Sequence, residues 1–518
     1  MKKIILLVGL VIGCNSSQKT VDEIVKNPIN SISSITFAES ITEAELKDYL
    51  YTYASDEFEG RETGKPGQKK AVEFLKAVYQ RLGVPAAQQN GDYFQDVPLT
   101  ITKLPTGFLK INGEEFPIGD DFIGFLPAKD TYSSIVYAGY GIEDENYSDY
   151  AGLDLEGKMV LVKLGEPVNS DGTYTVTGTN EKSVWSNPSE SIGKRLEVVS
   201  GKGAKGMIYY DAENYNRFKS RFEMMSTQNQ DRMSLKNDEN SDFAYFFVAG
   251  SLAKTMFPAI DTDHSPKEIP LALETHLESN NDDVQSENVV AFLKGSELPE
   301  EYVVISSHLD HIGISNNGDI NNGADDDGSG TVALLEIAEA FKKAADAGYG
   351  PKRSVVFLHV TGEEKGLLGS QYYTDIAPIF PLEQTVANLN IDMIGRIDPK
   401  RKGERNYIYL IGSDKLSTEL HELSEEVNKI HTKIELDYTY NDVNDPNRFY
   451  YRSDHYNFAK NNIPVIFYFN GTHDDYHRPG DTPDKINYDL LENRTRLIFY
   501  TAWEIANREK RLIVDKSE

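Results

Sequence analysis

Apolar and polar positions recur at two periods along the chain, and the pattern changes near residues 95 and 285. From about residue 285 onward, short apolar runs typical of strands alternate with segments whose apolar residues recur every three or four positions, as in amphipathic helices. The predicted strands are 302–306, 354–360, 386–391, 407–411 and 463–469, and the predicted helices are 330–343 and about 490–511. This alternation predicts an α/β domain built on a doubly wound mixed sheet.

The chain before residue 285 has a different texture. Between about 96 and 280, β-branched and aromatic runs are separated by Gly and Asp turns, which predicts a mainly β module. Ahead of it, Thr42 and Glu45 form a capping-box pattern, and residues 68–82 have the spacing of a second amphipathic helix. The predicted organisation is a helical N-terminal stretch (41–95), a β insertion (96–280) and an α/β body (281–518).

The N-terminal residues have the features of an export signal and a tether. Two lysines precede an apolar run that is too short to span a membrane, so residues 1–13 are predicted to be a signal peptide. Cys14 follows Val-Ile-Gly, a pattern that resembles the bacterial lipobox and predicts a lipid anchor; the alternative is a free thiol in an uncleaved helix. Residues 14–40 are rich in Ser, Asn and Thr and are predicted to tether the anchor to the fold.

Composition narrows the classes of partner and chemistry. The chain has 82 acidic and 53 basic residues, a formal net charge of −29, so phosphate backbones would be repelled and no nucleic-acid partner is expected. Cys14 is the single cysteine, which excludes internal disulfides and disfavours a cysteine-protease site. The length is sufficient for two domains, or for one domain with an insertion.

Ionisable residues follow the predicted strands of the α/β body, at the ends where open α/β sheets collect ligands. In chain order they are His308 and Asp310, the three aspartates 325–327 in a glycine-rich turn, the pair Glu363 and Glu364, Asp392, and a segment with two histidines, 473 and 477. Two histidines with carboxylates form the mixed nitrogen and oxygen set that zinc accepts without a thiolate. Asp310 is expected to accept a hydrogen bond from the second ring nitrogen of His308 and so to orient it. The sequence therefore predicts a zinc site at this edge.

These motifs resemble those of peptidase family M28, zinc peptidases that include bacterial leucyl aminopeptidases and glutamate carboxypeptidases. The resemblance covers most of the chain and implies the zinc-dependent exopeptidase fold, peptide substrates and two zinc ions per chain. It implies that Asp326 bridges both ions, that His308 and Asp392 complete one site, and that Glu364 and His477 complete the other.

The same resemblance implies the roles of two further residues. Glu363 matches the general base that takes a proton from the attacking water and delivers it to the leaving amine. Tyr476 matches a tyrosine that in some members hydrogen-bonds the oxyanion. Residues 55–64 resemble an N-terminal segment that packs against the catalytic body, which makes the peptidase domain discontinuous in sequence. The insertion resembles a protease-associated (PA) domain through motifs at 138–141, 149–153, 157–163 and 203–206.

Several activities remain open within this resemblance. An aminopeptidase is expected, as the commoner activity of secreted bacterial members. A carboxypeptidase of the glutamate carboxypeptidase type and a zinc acyltransferase of the glutaminyl cyclase kind are the alternatives. A catalytically inactive binding protein on the same scaffold is the third, but it would be expected to lose Glu363 or a ligand, and none is missing.

Other histidines are alternatives to the predicted metal ligands. His473 competes with His477, but His477 has the Tyr-His-x-x-x-Asp-Thr context and is favoured. His311 either lines the site or is solvated. His359 lies within a predicted strand and is expected to be a hydrogen-bonded core residue. The run 453–455, Ser-Asp-His, is not a catalytic triad, because the members of a triad converge from separate segments. It is expected either to contact the metal ligands from behind or to line the pocket.

Overall fold

The computed structural model describes residues 34–187, 190–227, 232–236 and 243–517. The described residues up to Pro98 join those from Gln285 onward in one compact unit, here called the α/β unit, and Leu99–Val284 form a second, the inserted unit. These limits lie close to those predicted for the insertion, 96–280. The predicted signal peptide, Cys14 and most of the predicted tether lie outside the described residues.

Strands are found in both units. In chain order, the strands of the described residues are β1 (Phe94–Thr102), β2 (Thr106–Ile111), β3 (Glu114–Pro117), β4 (Phe122–Gly124), β5 (Ala128–Tyr137), β6 (Glu143–Asp144), β7 (Tyr147–Ser148), β8 (Met159–Lys163), β9 (Gly206–Tyr210), β10 (Arg232–Leu235), β11 (Ala244–Val248), β12 (Lys267–Glu278), β13 (Asp282–Leu293), β14 (Leu298–His308), β15 (Arg353–Val360), β16 (Thr385–Ile391), β17 (Tyr407–Ile411), β18 (Glu435–Asp437) and β19 (Val465–Phe469).

Helices are also found in both units. In chain order, the α-helices of the described residues are α1 (Glu43–Tyr53), α2 (Pro66–Leu82), α3 (Ser191–Gly201), α4 (Tyr215–Thr227), α5 (Gly250–Met256), α6 (Gly330–Asp346), α7 (Leu368–Gln371), α8 (Thr418–His431), α9 (His455–Ala459) and α10 (Tyr488–Asn507). Among these described helices, none combines the length and the apolar character needed to cross a membrane.

The sheet of the α/β unit has its parallel strands in the middle. β14 lies between β15 and β16, β19 follows β16, and all four are parallel. β13 and β17 flank them as antiparallel neighbours. Side chains of β14 alternate between two cores, with Val303 and Ile305 in one and Val304 in the other. Both faces are buried, which explains why these strands are apolar throughout and confirms the predicted α/β fold with a mixed sheet.

Side chains make hydrogen bonds to the main chain at two of the helix ends. Thr42 caps α1, because its hydroxyl accepts the Glu45 amide hydrogen at 3.3 Å, as the capping-box pattern predicts. α10 ends at Asn507, four residues before the predicted end at 511. At this end the Arg353 guanidinium donates a hydrogen bond to the carbonyl oxygen of Ile505 at 3.2 Å, which satisfies one acceptor of the last turn.

The inserted unit contains an eight-stranded sheet in the order β3-β2-β12-β5-β8-β9-β11-β4. β5, β8, β9 and β11 are parallel neighbours, whereas β2, β12 and β5 pair antiparallel. Successive residues of β8 face opposite cores, Leu161 in one and Val160 in the other. The unit is more helical than the sequence pattern predicts, because α4 and α5 bury few apolar residues and give a weak helical period.

Candidate metal centre

The carboxyl ends of the central parallel strands lie side by side. His308 at the end of β14 pairs with Val360 at the end of β15, and Ser307 pairs with Ile391 at the end of β16. Ile391 in turn pairs with Tyr468 of β19. The segments that leave these strands carry the residues predicted to bind metal, and they therefore start at the same edge of the sheet.

His308, Asp326 and Asp392 form a buried group of three metal-binding side chains. His308 Nε2 lies 3.1 Å from Asp326 Oδ1 and 3.7 Å from Asp392 Oδ1. His308 Nδ1 donates a hydrogen bond to the backbone carbonyl oxygen of Asp310 at 3.0 Å. A carbonyl only accepts, so Nδ1 carries a proton, and Nε2, directed at the two carboxylates, is the ring nitrogen that can bind a metal ion.

The structure corrects the expected role of the Asp310 side chain. Its carboxylate Oδ1 lies 3.9 Å from His308 Nδ1, too far for a hydrogen bond. The two oxygens instead accept the Thr63 hydroxyl at 2.7 Å and the Glu363 amide at 3.2 Å. Asp310 orients His308 through its main chain, while its side chain connects the N-terminal segment to the loop of Glu363.

A second group forms around the other oxygen of Asp326. His477 Nε2 lies 3.1 Å from Asp326 Oδ2 and 3.1 Å from Glu364 Oε2. His311 Nδ1 lies 2.8 Å from Glu364 Oε1 and 3.7 Å from Asp326 Oδ2. His311 is fully buried, so of its two predicted environments the solvated one is wrong. Asp326 thus turns one carboxylate oxygen toward each group.

These distances fit bound zinc. Donor atoms about 2.0–2.2 Å from a tetrahedral zinc ion are about 3.3–3.6 Å from one another, and the separations between the proposed donors are 3.1–3.7 Å. His308 Nε2 and Asp326 Oδ2 are buried, and neither has a hydrogen-bond partner among the described residues. Buried polar atoms are rarely left unpaired in proteins, so one cation in each group accounts for both.

The electrostatics of the centre also favour a cation. Burial alone would lower the pKa of His477, but the carboxylates of Asp326 and Glu364 raise it to about 10. Burial alone would raise the pKa of Asp326, but His311, His308 and His477 hold it well below its usual value. The carboxylates therefore create a negative potential that stabilises positive charge at the imidazoles.

Hydrogen bonds from neighbouring carboxylates and hydroxyls hold the ligand-bearing loops. The Asp327 carboxylate accepts the amides of His308 (3.3 Å), Gly330 (3.0 Å) and Met393 (3.0 Å). Asp481 Oδ2 accepts the amides of Asp325 and Asp326 at 2.9 and 3.1 Å, and Ser453 donates to Asp392 Oδ2 at 2.6 Å. Ser453 thus contacts a predicted ligand, as expected for the run 453–455.

Arg61 connects the N-terminal segment to the same loops. Its guanidinium is 1% exposed and donates to the carbonyl oxygens of Leu309 (3.3 Å), Asn322 (2.7 Å) and Gly323 (2.9 Å). The carbonyls belong to the segments that follow His308 and precede Asp326. A buried cation that bonds only main-chain oxygens on several loops holds their mutual positions.

Glu363 and Tyr476 face an open cleft beside the ligands, with about 340 Å³ of empty space. The cleft is lined by Asp326, Glu363, Asp392, Met393, Phe449, Arg452, Phe467, Phe469, Thr472 and Tyr476. Burial raises the pKa of Glu363 well above its usual value, against the lowering effect of His308. The Tyr476 ring stacks on His477 with centroids 4.0 Å apart. The lining of the cleft therefore combines aromatic rings with carboxylates.

The remaining histidines lie apart from Asp326. His473 Nε2 pairs with Asp325 Oδ2 at 3.2 Å, on the far side of the acidic turn from the ligands. His359 is buried between the Tyr79 hydroxyl (2.7 Å) and the Ser307 hydroxyl (3.0 Å), as expected of a hydrogen-bonded core residue. His455 is buried and stacks on Phe467, so its neighbours in the chain do not form a triad with it.

The chain is similar in sequence to several known proteins. Residues 288–502 match the sequence model of peptidase family M28. Carboxypeptidase Q from Xenopus laevis is 41% identical over 95 residues, which cover 18% of each protein. A probable leucine aminopeptidase 2 from Aspergillus oryzae is 31% identical over 180 residues, 31% of this chain and 34% of that protein. The chain thus spans about a third or less of the length of these two relatives.

Solved structures of similar architecture include an aminopeptidase from Aneurinibacillus sp. strain AM-1, with 18% identity and a TM-score of 0.47; the match covers 94% of this chain and 98% of that one. A zinc aminopeptidase from Bacillus subtilis matches with 18% identity and a TM-score of 0.47 over 92% of this chain and 98% of that one. The segment that matches the family contains Glu363 and all five predicted ligands. Residues 288–502 of this chain are therefore similar to peptidase family M28.

Proposed function

We propose that the chain is a zinc-dependent aminopeptidase with two zinc ions per chain. In this proposal His308 and Asp392 hold one ion, Glu364 and His477 hold the other, and Asp326 contacts both. The observation that carries the proposal is the division of the Asp326 carboxylate: Oδ1 lies 3.1 Å from His308 and Oδ2 lies 3.1 Å from His477. One carboxylate between two sets of donors is the arrangement that a pair of metal ions requires.

Bound zinc supplies Lewis acidity, which polarises a scissile carbonyl and lowers the pKa of water. Glu363 is the proposed proton carrier, because it faces the cleft, belongs to neither group of ligands and is held by the bond from its amide to Asp310. It takes the proton from water and returns it to the leaving amine. Tyr476, on the same cleft and stacked on His477, is the proposed hydrogen-bond donor to the oxyanion.

The aromatic residues that line the cleft suit the apolar side chain of a substrate. Phe449, Phe467 and Phe469 are buried, and they surround the space next to Asp392 and Glu363. An apolar side chain in this space would bring the peptide bond that follows it to the carboxylates. This placement and the similarity to a leucine aminopeptidase over 31% of the chain support cleavage after an N-terminal residue.

A carboxypeptidase is the second candidate, and it has its own support. The cleft includes the guanidinium of Arg452, which matches the charge of a free C-terminal carboxylate. The similarity to Carboxypeptidase Q covers 18% of the chain. The two candidates differ in the end of the peptide that must be free.

Paired substrates separate these activities. We expect hydrolysis of aminoacyl amides with a free α-amine and none of the same compounds after N-acetylation. Hydrolysis of N-acetylated dipeptides with a free carboxylate, without cleavage of the free-amine amides, would overturn the aminopeptidase in favour of the carboxypeptidase. Cyclisation of N-terminal glutamine without peptide hydrolysis would overturn both. The Glu363→Gln variant is the control that assigns activity to this centre.

We further propose that the chain is exported and anchored to a membrane by lipid on Cys14, and that Leu99–Val284 form a PA-type module. The apolar run before Cys14 supports export, and the strand-rich composition of the inserted unit supports the module. The Cys14→Ser variant is expected to appear in the soluble fraction after export. Retention of that variant in the membrane fraction would contradict the lipid anchor.

A further inference from the structure

Three glutamates converge on the side of α6 that faces α1, outside the candidate zinc centre. Glu45 lies in the first turn of α1, and Glu336 and Glu339 lie one turn apart on α6. Each offers a carboxylate oxygen, and these oxygens all lie within 4.8 Å of one another. Glu336 is about 9 Å along the axis of α6 from Gly330, where the helix leaves the acidic turn of Asp326. The three residues are called the α1–α6 cluster below.

Glu336 is the member that requires a ligand. Its side chain is 1% exposed, and neither carboxylate oxygen has a hydrogen-bond partner among the described residues. Burial, followed by the charges of Glu45 and Glu339, raises its pKa to about 8. A buried carboxylate without a partner is costly, and two like charges beside it increase the cost.

The other two members have compensating contacts of their own. At Glu336 the Thr42 main chain and the Lys343 charge lower the pKa, but less than burial, Glu45 and Glu339 raise it. The Thr42 hydroxyl donates to Glu45 Oε2 at 2.9 Å, and Lys343 Nζ lies 2.8 Å from Glu339 Oε1. These contacts hold Glu45 and Glu339 in place on either side of Glu336. The cluster is therefore a prearranged set of carboxylate oxygens with an unpaired member at its buried end.

We propose that the α1–α6 cluster binds one calcium ion, which joins α1 to α6. All of its donors are oxygens, which hard cations prefer, and it contains neither the imidazole nor the thiolate that favours zinc. Three carboxylates supply up to six oxygens, and water completes the coordination of six to eight that calcium accepts in flexible geometry. Magnesium fits less well, because it demands strict octahedral geometry and gives up its water reluctantly.

The test uses the full-length, zinc-loaded protein and measures binding rather than activity. Terbium, which replaces calcium at oxygen sites, is added and its luminescence is excited through tyrosine. Tyr49 lies near the cluster, since Glu339 and Glu336 contribute to the rise of its pKa to about 12. Calcium is then titrated to about 10 mM, well above the dissociation constants of about 0.1–1 mM typical of weak calcium modules. Thermal unfolding is recorded with and without calcium.

The proposal predicts that calcium displaces terbium and raises the unfolding temperature of the wild-type protein. In Glu336→Gln, each effect is expected to require a calcium concentration at least ten times higher. Glu504→Gln is the matched control, because Glu504 is another partly buried glutamate whose pKa is raised by burial, on α10 rather than in the cluster. It is expected to respond as the wild type does. An unchanged response in Glu336→Gln, or no response in the wild type, would overturn the proposal without affecting the proposed zinc centre.

Discussion

Asp327 Oδ1 accepts the Met393 amide hydrogen at 3.0 Å, and this bond ties the turn of Asp326 to the end of the strand that carries Asp392. The same carboxylate accepts the amides of His308 and Gly330. Gly330 allows this approach, because a Cβ there would lie 2.4 Å from Asp327 Oδ1. Asp327 therefore sets the spacing of three proposed ligands without contacting the metal itself.

Asp327→Asn is expected to weaken zinc binding. The amide that replaces one oxygen would meet N–H groups instead of accepting from them, so the loops of His308 and Asp392 would lose a common anchor. Losses of about 10- to 100-fold in metal affinity are typical when such supporting residues are changed. Competition with a chromophoric chelator measures the affinity. Asp346→Asn removes an exposed carboxylate at the other end of α6 and should have no effect; equal losses in the two variants would contradict the anchoring role.

Glu363→Gln is expected to keep its zinc and to lose turnover. Glutamine fills the same space but accepts no proton, and general acid–base catalysis contributes about 10²- to 10⁴-fold to the rate. Metal analysis and kcat on the same sample provide the measurement. Glu62→Gln is the control. It makes the same charge change at a glutamate that pairs with Lys365, two residues after Glu363, and it should leave kcat unchanged. Substantial hydrolysis by Glu363→Gln would remove Glu363 from the proton transfer.

His477 and His311 are expected to differ in their effect on metal content. His477 Nε2 lies 3.1 Å from an oxygen of both Asp326 and Glu364, whereas His311 Nδ1 comes this close only to Glu364, at 2.8 Å from Oε1, and is 3.7 Å from Asp326. His477→Ala should therefore lower zinc from roughly two ions per chain to roughly one, while His311→Gln should keep roughly two. The opposite result would make His311 the ligand and His477 the residue that orients Glu364.

The sequence could indicate that the proposed ligands lie together, because they follow buried strands. An apolar run that ends in His308 or Asp392 marks a strand end, and parallel strands bring such ends to one edge. The sequence places His311 near the site. It does not show whether the side chain points into the site or into solvent, since His311 lies in a loop without periodicity. Arg61 could not be found at all. Its partners are about 250–260 residues away in the chain, and no local pattern encodes them.

The sequence also could not show whether the side chain or the main chain of Asp310 contacts His308. The spacing of His308 and Asp310 indicates contact, and the two residues do contact each other. Which oxygen of Asp310 accepts the bond depends on Thr63, which draws the carboxylate away. Thr63 belongs to the N-terminal segment, so this detail is decided by tertiary packing rather than by the motif.

His359 is expected to make the protein sensitive to acid. Burial lowers its pKa to about 3, against an ordinary value of 6.5, so the unfolded chain binds the proton more tightly than the folded one. The stability that neutral His359 provides is complete above pH 6.5 and is lost as the pH falls from there toward 3. At pH 5 the loss is about 2 kcal/mol, because each unit below 6.5 costs about 1.4 kcal/mol.

The His359→Gln variant tests this directly. Glutamine stays neutral, and its amide can contact the hydroxyls of Tyr79 and Ser307 that His359 now joins, so part of the buried network survives. Its stability at pH 7 should be lower than that of the wild type, but its further loss between pH 7 and pH 5 should be smaller by about 2 kcal/mol. Denaturant unfolding at the two pH values gives both numbers. A parallel decline of the two proteins would mean that the acid sensitivity resides in other groups, because a neutral side chain at this position has no proton to bind.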